Sequence, residues 1–184
     1  VGFAGALSHG FLRQLYPAEL ADRYALILRA VDYDYLEYMH DNSDCQFWAQ
    51  NIGPSFLRRF DDCRARYGKA VVVIGDSHGM NFYNMVAKTD QRPFVVGVVQ
   101  GGCRPYGDRN SSCQYAEVED FVSENRNNIA SLLYHQSGSH FARDFDPTNP
   151  YLHAQLLDFE IETDSILRVL DYLEGLSAIL GQKV

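Results

Sequence analysis

The sequence predicts an α/β fold in which helices cover both faces of a parallel sheet. Two short apolar runs rich in β-branched residues, 69–74 and 94–99, have the length and composition of buried strands. A third run of this kind covers 129–134, and stretches of helical character separate the three. Strands that alternate with helices are typical of parallel sheets, because each crossover places a helix on one face.

The composition is that of an ordinary globular domain. The chain has 184 residues, of which 46% are hydrophobic and 22% are charged, and this excludes collagen-like, disordered and coiled-coil classes. No run approaches the roughly 20 apolar residues that a membrane-spanning helix needs. The net charge is −8 and no block of Lys and Arg occurs, so nucleic acid is not expected as a partner.

We interpret residues 1–45 as a lead-in that packs on a core domain of residues 46–184. The lead-in is rich in tyrosine, and a helix is predicted near 17–31. Pro17 and Glu19 suit its first turn, where proline is tolerated and a carboxylate lies near the positive end of the helix dipole.

The first strand, 69–74, is followed by a tight turn over 75–79 and a predicted helix over 80–88. Phe82, Met85 and Val86 are expected on the buried face of this helix. The elements after the second strand are, in order, a loop over 101–105, a helix over 117–128, the third strand and a polar loop over 136–152.

A long helix is predicted to begin at Thr163 and to end near Leu180, with Gly181 as its C-terminal cap. Its expected buried stripe consists of Ile166, Leu170, Leu173, Leu176 and Leu180. Residues 182–184 resemble the first residues of another strand. We therefore expect the chain to be a fragment of a longer protein, cut near Val184.

Four cysteines lie in polar, loop-like sequence, and none belongs to a CxxC motif. Zinc-ribbon and thioredoxin spacings are therefore absent. The even count and the local spacings predict two disulfides, Cys45–Cys63 and Cys103–Cys113, and with them an oxidising compartment. The alternative is four reduced cysteines in a cytosolic protein.

The sharpest local feature is the segment 71–79, VVVIGDSHG, which places a serine between a buried strand and a helix. Ligands of open α/β sheets bind at the carboxyl ends of strands, and free N–H groups at a helix start stabilise an oxyanion. Ser77 is thus placed as a nucleophile whose own N–H donates to the oxyanion, although an N-cap serine is the simpler interpretation. A nucleophilic serine also needs a base, normally a histidine that a carboxylate orients.

The Gly-Asp-Ser-His block at 75–78, after a buried strand, resembles block I of the SGNH (GDSL-like) hydrolases. The Gly-Gly-Cys-Arg-Pro loop at 101–105 and the later Cys113 make the chain similar, over about 45–184, to SGNH domains fused to membrane O-acyltransferases. This resemblance implies a three-layer α/β/α domain with a flavodoxin-like parallel sheet. It implies acetyl transfer to, or hydrolysis from, cell-surface polysaccharide or peptidoglycan. The implied location is extracytoplasmic (periplasmic or cell-surface), tethered to the cytoplasmic membrane in the full-length protein.

The resemblance also implies roles for single residues. Ser77 is the catalytic nucleophile, and Asp76 beside it orders the turn more than it serves as the triad acid. Gly102, with Gly101, supplies oxyanion donors, and His78 lines the site. The implied partners are an acyl-donor membrane domain of the same protein and a carbohydrate acceptor, with no cofactor and no metal.

Two features depart from the family. Its third block often has Asn at a strand end, where this chain has Tyr-His-Gln-Ser at 134–137. Its catalytic base comes from a D-x-x-H motif after the last helix, and that motif does not occur in this sequence. His135, His140 and His153 all precede the last helix, and we interpret them as structural or surface residues. We therefore expect the 184 residues alone to lack the catalytic histidine and to be weakly active or inactive.

Two other functions stay open. One is a non-catalytic module of the same fold that binds glycan or a partner domain, as expected if the serine has no base. The other rests on the Gly-Asp-x-His-Gly pattern, which also resembles the first metal block of metallophosphoesterases. Asp76 and His78 would then bind one metal of a two-metal site. The Gly-Asn-His-Asp/Glu block of that family is missing here.

Overall fold

The computed structural model of the protein describes residues 36–89, 92–104, 106, 117–141 and 161–181. The chain divides into two compact units, Val1–Tyr38 and Met39–Val184. The helix predicted near 17–31 and the strand start predicted at 182–184 lie outside the described residues. The strands of the second unit are β1 (Gln46–Ala49), β2 (Ala70–Gly75), β3 (Val95–Val99) and β4 (Ile129–His135). Its helices are α1 (Pro54–Tyr67), α2 (Ser77–Ala87), α3 (Val118–Glu124) and α4 (Thr163–Leu180), with 3-10 turns at Arg126–Asn128 and Gly138–Phe141.

The described strands form one sheet of order β1-β3-β2-β4, in which every neighbouring pair is parallel. After β2 the chain runs to β3 on one side, and β4 then pairs with β2 on the other side. Strand order therefore reverses between β2 and β4, and open α/β sheets bind their ligands in the crevice at such a switch point.

The predicted α/β class is confirmed, with helices on both faces of the sheet. On one face, α1, α3 and α4 pack on alternate strand residues such as Val72, Val96 and Leu132. On the other face, α2 packs on the intervening residues, among them Val71 and Val95. All residues of β2 and β3 are buried, as their β-branched runs predict for central strands.

Five phenylalanines form the centre of the first face. Adjacent ring centroids lie 5.0 to 6.4 Å apart, mostly edge to face or tilted. Burial of each ring contributes roughly 1.5–3 kcal/mol relative to exposure. Two come from strand-side positions and three from two helices: Phe47, Phe94, Phe56, Phe60 and Phe121.

On the second face, Tyr83 of α2 packs directly on the backbone of β3. A Cβ built on Gly97 would lie 2.8 Å from the Tyr83 ring, so glycine is what allows this approach. The Tyr83 hydroxyl donates a 2.9 Å hydrogen bond to the carbonyl oxygen of His40, and Asn84 Oδ1 accepts from the His40 N–H at 2.7 Å. The segment before β1 is thereby fixed on α2.

The structure confirms most of the expected buried face of α2 and corrects its centre. The helix begins at Ser77, earlier than predicted, and Phe82 and Val86 pack against the core as expected. Met80 and Tyr83 are more deeply buried, whereas Met85 is 64% exposed.

The expected buried stripe of α4 is likewise confirmed in part. Leu176 is buried, and Leu173 and Leu180 pack against the core. Leu170 is 49% exposed, and Val169 and Tyr172 are buried instead. In both helices the buried face is turned toward the neighbouring stripe that carries a tyrosine.

A disulfide joins Cys45, just before β1, to Cys63 of α1, and both cysteines are fully buried. Cys103 is also disulfide-bonded, while Cys113, its predicted partner, lies outside the described residues. Disulfides are compatible with an extracytoplasmic location. Within the described part of the chain, no helix is long and apolar enough to cross a membrane.

The double variant Cys45→Ala/Cys63→Ala is expected to lower the free energy of unfolding by about 2–4 kcal/mol, because the unfolded chain regains the entropy of an open loop. Urea unfolding without reductant measures the loss. Peptide mapping of the unreduced parent is the control, since it must recover the two cysteines in one linked fragment. Equal stability of variant and parent would contradict a stabilising role for this bridge.

Candidate active site

The turn from β2 into α2 carries Asp76, Ser77 and His78 at the carboxyl edge of the sheet. Asp76 is the N-cap of α2 and is only 1% exposed, whereas Ser77 and His78 are exposed. The switch point between β2 and β4 lies at this edge. The structure therefore places the predicted nucleophile where the fold class locates ligands.

Asp76 holds the turn through both oxygens of its carboxylate. Oδ1 accepts a 2.8 Å hydrogen bond from the His78 N–H and caps α2. Oδ2 accepts a 2.8 Å hydrogen bond from the Ser137 N–H, two residues after β4 ends. One buried side chain thus joins the nucleophile turn to the segment that follows β4.

The cap leaves the first N–H group of α2 available. Asp76 binds the His78 N–H, and no residue in the described ranges accepts a hydrogen bond from the Ser77 N–H. This N–H lies at the positive end of an 11-residue helix. It can therefore donate to the oxyanion of a tetrahedral intermediate bonded to the Ser77 hydroxyl oxygen.

The glycine loop after β3 lies at the same edge. The Gln100 N–H donates a 3.2 Å hydrogen bond to the carbonyl oxygen of Gly75, and the Cys103 N–H donates one of 3.2 Å to Gln100. Between them, Gly102 has a φ of +73°, a backbone conformation that favours glycine. The structure thus brings Gly101 and Gly102 to the end of β3, next to the strand that carries the serine turn.

Two glycines of the turn are required by the backbone of β4. A Cβ built on Gly75, whose φ is +153°, would lie 1.8 Å from the carbonyl oxygen of His135. A Cβ on Gly79 would lie 3.0 Å from the same oxygen. The end of β4 therefore packs against both ends of the GDSHG turn, which explains why the motif begins and ends with glycine.

Three rings pack together around His78 and His135, and His78 directly follows Ser77 in the chain. His135 stacks on His78 with ring centroids 5.9 Å apart and planes 24° apart, and it lies 5.4 Å from the ring of Phe82. We call His78, Phe82 and His135 the ring shelf. The sequence analysis interpreted His135 as structural. Its contact with His78 depends on the pairing of β4 with β2, in which His135 lies opposite Gly75.

A polar cluster lies on the opposite face of β4. Gln136 Oε1 accepts hydrogen bonds from the hydroxyls of Tyr106, at 3.1 Å, and Tyr134. Burial, the neighbouring Tyr106 and the Asp76 carboxylate raise the pKa of the Tyr134 hydroxyl, so it remains a donor. Tyr106 follows the glycine loop, so this cluster ties that loop to the end of β4.

The structure shows no base bonded to the serine among the side chains that it describes. No hydrogen bond joins the Ser77 hydroxyl to a histidine in the part of the chain that the structure describes. His153 lies outside those residues, and His140 lies in the 3-10 turn after β4. The described ranges also hold no group of three His, Cys, Asp or Glu side chains arranged for a metal ion.

No family model, curated protein or solved structure matches this chain. Its function is therefore inferred from the geometry of the site and from the residues that occupy it.

Gly75→Ala is expected to destabilise the protein by more than about 3 kcal/mol, because a Cβ would overlap a backbone oxygen that no rotamer change can move. Chemical denaturation gives the magnitude. Gly138→Ala is the matched control, since a Cβ there meets no atom within 4 Å. Its stability should stay within about 0.5 kcal/mol of the parent. Equal effects of the two substitutions would contradict the close approach.

Asp76→Asn is expected to lower the free energy of unfolding by about 1–3 kcal/mol. The amide NH2 of asparagine is a donor, and it must face one of the two backbone N–H groups that Asp76 binds. Asparagine still serves as an N-cap, so the bond that suffers is the one to Ser137. A larger increase in hydrogen exchange over the parent at the Ser137 amide than at the His78 amide would show that the bond to Ser137 is the weakened one. Asp76→Ala, which loses both bonds, should cost about 1 kcal/mol more. An unchanged Ser137 exchange rate in Asp76→Asn would rule out the clamp.

Proposed function

We propose that this chain is an SGNH-type acyl-transfer domain in which Ser77 is the nucleophile. The observation that carries the proposal is an exposed serine at the first position of α2, beside the switch point, with its own N–H unpaired among the described residues. The buried Asp76 carboxylate fixes this turn from two sides. The sequence resemblance of residues 75–78 and 101–105 supports the same assignment.

In the proposed reaction, Ser77 Oγ attacks the carbonyl carbon of an acetyl ester and its proton passes to a base. The Ser77 N–H, with Gly102 as the proposed second donor, stabilises the oxyanion of the tetrahedral intermediate. The intermediate collapses to acyl-Ser77 as the alcohol leaves with a proton. A carbohydrate hydroxyl or water then attacks acyl-Ser77, and the serine regains its proton. In the family that the chain resembles, this base is the histidine of a D-x-x-H motif.

The proposed setting is the cell envelope. The Cys45–Cys63 disulfide is compatible with an extracytoplasmic, periplasmic or cell-surface location. We propose that the domain is tethered to the cytoplasmic membrane through a membrane domain of the same protein. That domain would supply the acyl group, and envelope carbohydrate would accept it.

The arrangement of Asp76 favours acyl transfer over metal-dependent phosphoester hydrolysis. A metallophosphoesterase needs this carboxylate as a metal ligand. Here the side chain is 1% exposed and each oxygen already accepts a backbone N–H. A metal would have to reach a buried side chain whose two oxygens already hold the turn.

Ser77→Ala in the full-length protein is expected to lower the rate of acetyl-ester hydrolysis by at least about 10³-fold, because no acyl-enzyme can form. Ser55→Ala is the matched control, since Ser55 is an exposed serine in the first turn of another helix. A fluorophosphonate probe should label Ser77, as mass spectrometry can verify. Equal rates of hydrolysis by Ser77→Ala and the parent would contradict the role of Ser77 as the nucleophile. Absence of both labelling and hydrolysis, with glycan binding retained, would identify a binding module instead.

A further inference from the structure

The ring shelf of His78, Phe82 and His135 presents flat side chains to solvent beside the proposed nucleophile. His78 and Phe82 lie one helical turn apart on α2, and His135 packs against both. His78 and His135 are exposed, and Phe82 is half-buried. Met85, one turn further along the same stripe, is 64% exposed. The shelf is therefore part of a continuous surface that starts at Ser77 and follows α2.

The alternation of β4 explains why this surface is not covered by the core. Leu133 and His135 both point to the α2 face, and Leu133 packs into the core there. His135 comes two residues later, at the last position of the strand. Its ring contacts His78 and Phe82 in the first turns of α2. Exposed apolar surface next to a reactive side chain is typical of ligand contact.

The chemistry of the shelf selects a carbohydrate over other occupants. Ring faces pack against the apolar C–H face of a sugar, and imidazole nitrogens donate to or accept from its hydroxyls. The chain carries a net charge of −8, which disfavours an anionic polymer. A specific protein interface buries roughly 800 Å² per partner. The three side chains of the shelf are too few to form a surface of that area.

We propose that the ring shelf is the subsite that holds an uncharged sugar ring of the substrate next to Ser77. This inference rests on the proposed function, and it names Phe82 and His135 as specificity-determining residues. Its test uses binding rather than turnover, so that its failure differs from failure of the acyl-transfer proposal. Phe82 lies outside the blocks that carry the resemblance, whereas His135 lies in the segment 134–137 that departs from the family's third block.

The experiment uses the full-length protein with Ser77→Ala, titrated with an unacylated, neutral β-linked glucose tetramer. Histidine ring protons are followed by NMR and assigned with His78→Asn and His135→Asn. The ring protons of His78 and His135 should shift saturably. Adding Phe82→Leu, which removes the ring but keeps an apolar side chain, should weaken binding roughly five- to tenfold.

Two further variants keep the result interpretable. Phe82→Tyr retains a ring and should bind within about threefold of the background protein. Leu170→Ala changes another exposed apolar helix residue, 49% exposed on α4, and should leave binding unchanged. Unmoved His78 and His135 resonances would overturn the proposal, as would equal weakening by Phe82→Leu and Leu170→Ala. Preference for a polygalacturonate fragment over the neutral tetramer would also overturn it. Loss of hydrolysis in the Ser77→Ala protein, by contrast, concerns only the nucleophile.

Discussion

The contact between the end of β4 and the turn after β2 is the constraint on which the candidate site depends. The His135 carbonyl oxygen occupies the space that side chains at Gly75 and Gly79 would fill. The Ser137 N–H then binds Asp76 in the next step along the chain. These contacts set where α2 begins, and therefore where its first N–H and the Ser77 hydroxyl lie. They also bring the His135 ring over the first turns of α2, so one backbone contact fixes both the nucleophile and the ring shelf.

Asp76 shows how the same motif can serve different chemistries. A carboxylate before a serine at a strand end could bind a metal, orient a histidine or cap a helix. Here two backbone donors and almost complete burial fit a carboxylate that organises the turn. A buried carboxylate is stable only when hydrogen bonds replace its lost hydration, and each oxygen accepts a backbone N–H. The contacts of Asp76 thus favour one of the roles that residue type alone leaves open.

Much of the fold could be predicted because the central strands are uninterrupted β-branched runs buried on both faces. Strand β1 was missed because it has only four residues, and α1 because most of its surface is polar. The signal in α1 was present, since Phe56, Phe60 and Cys63 follow a spacing of four and three. The nucleophile turn was also predictable, because strand, glycines and serine are local. The roles of Ser137 and His135 were not, because they depend on the register between β2 and β4, which no local pattern encodes.

The nature of the atom that faces each glycine has a genetic consequence. Gly75 and Gly79 both meet a backbone oxygen, which every amino acid at position 135 would carry. A substitution at either glycine therefore has no compensating change at its contact partner. Gly97 meets the side chain of Tyr83 instead, so a smaller residue at position 83 could accommodate a new side chain there. A second substitution at position 83 should therefore restore the stability of a Gly97 variant. No substitution at position 135 should restore that of a Gly75 or Gly79 variant.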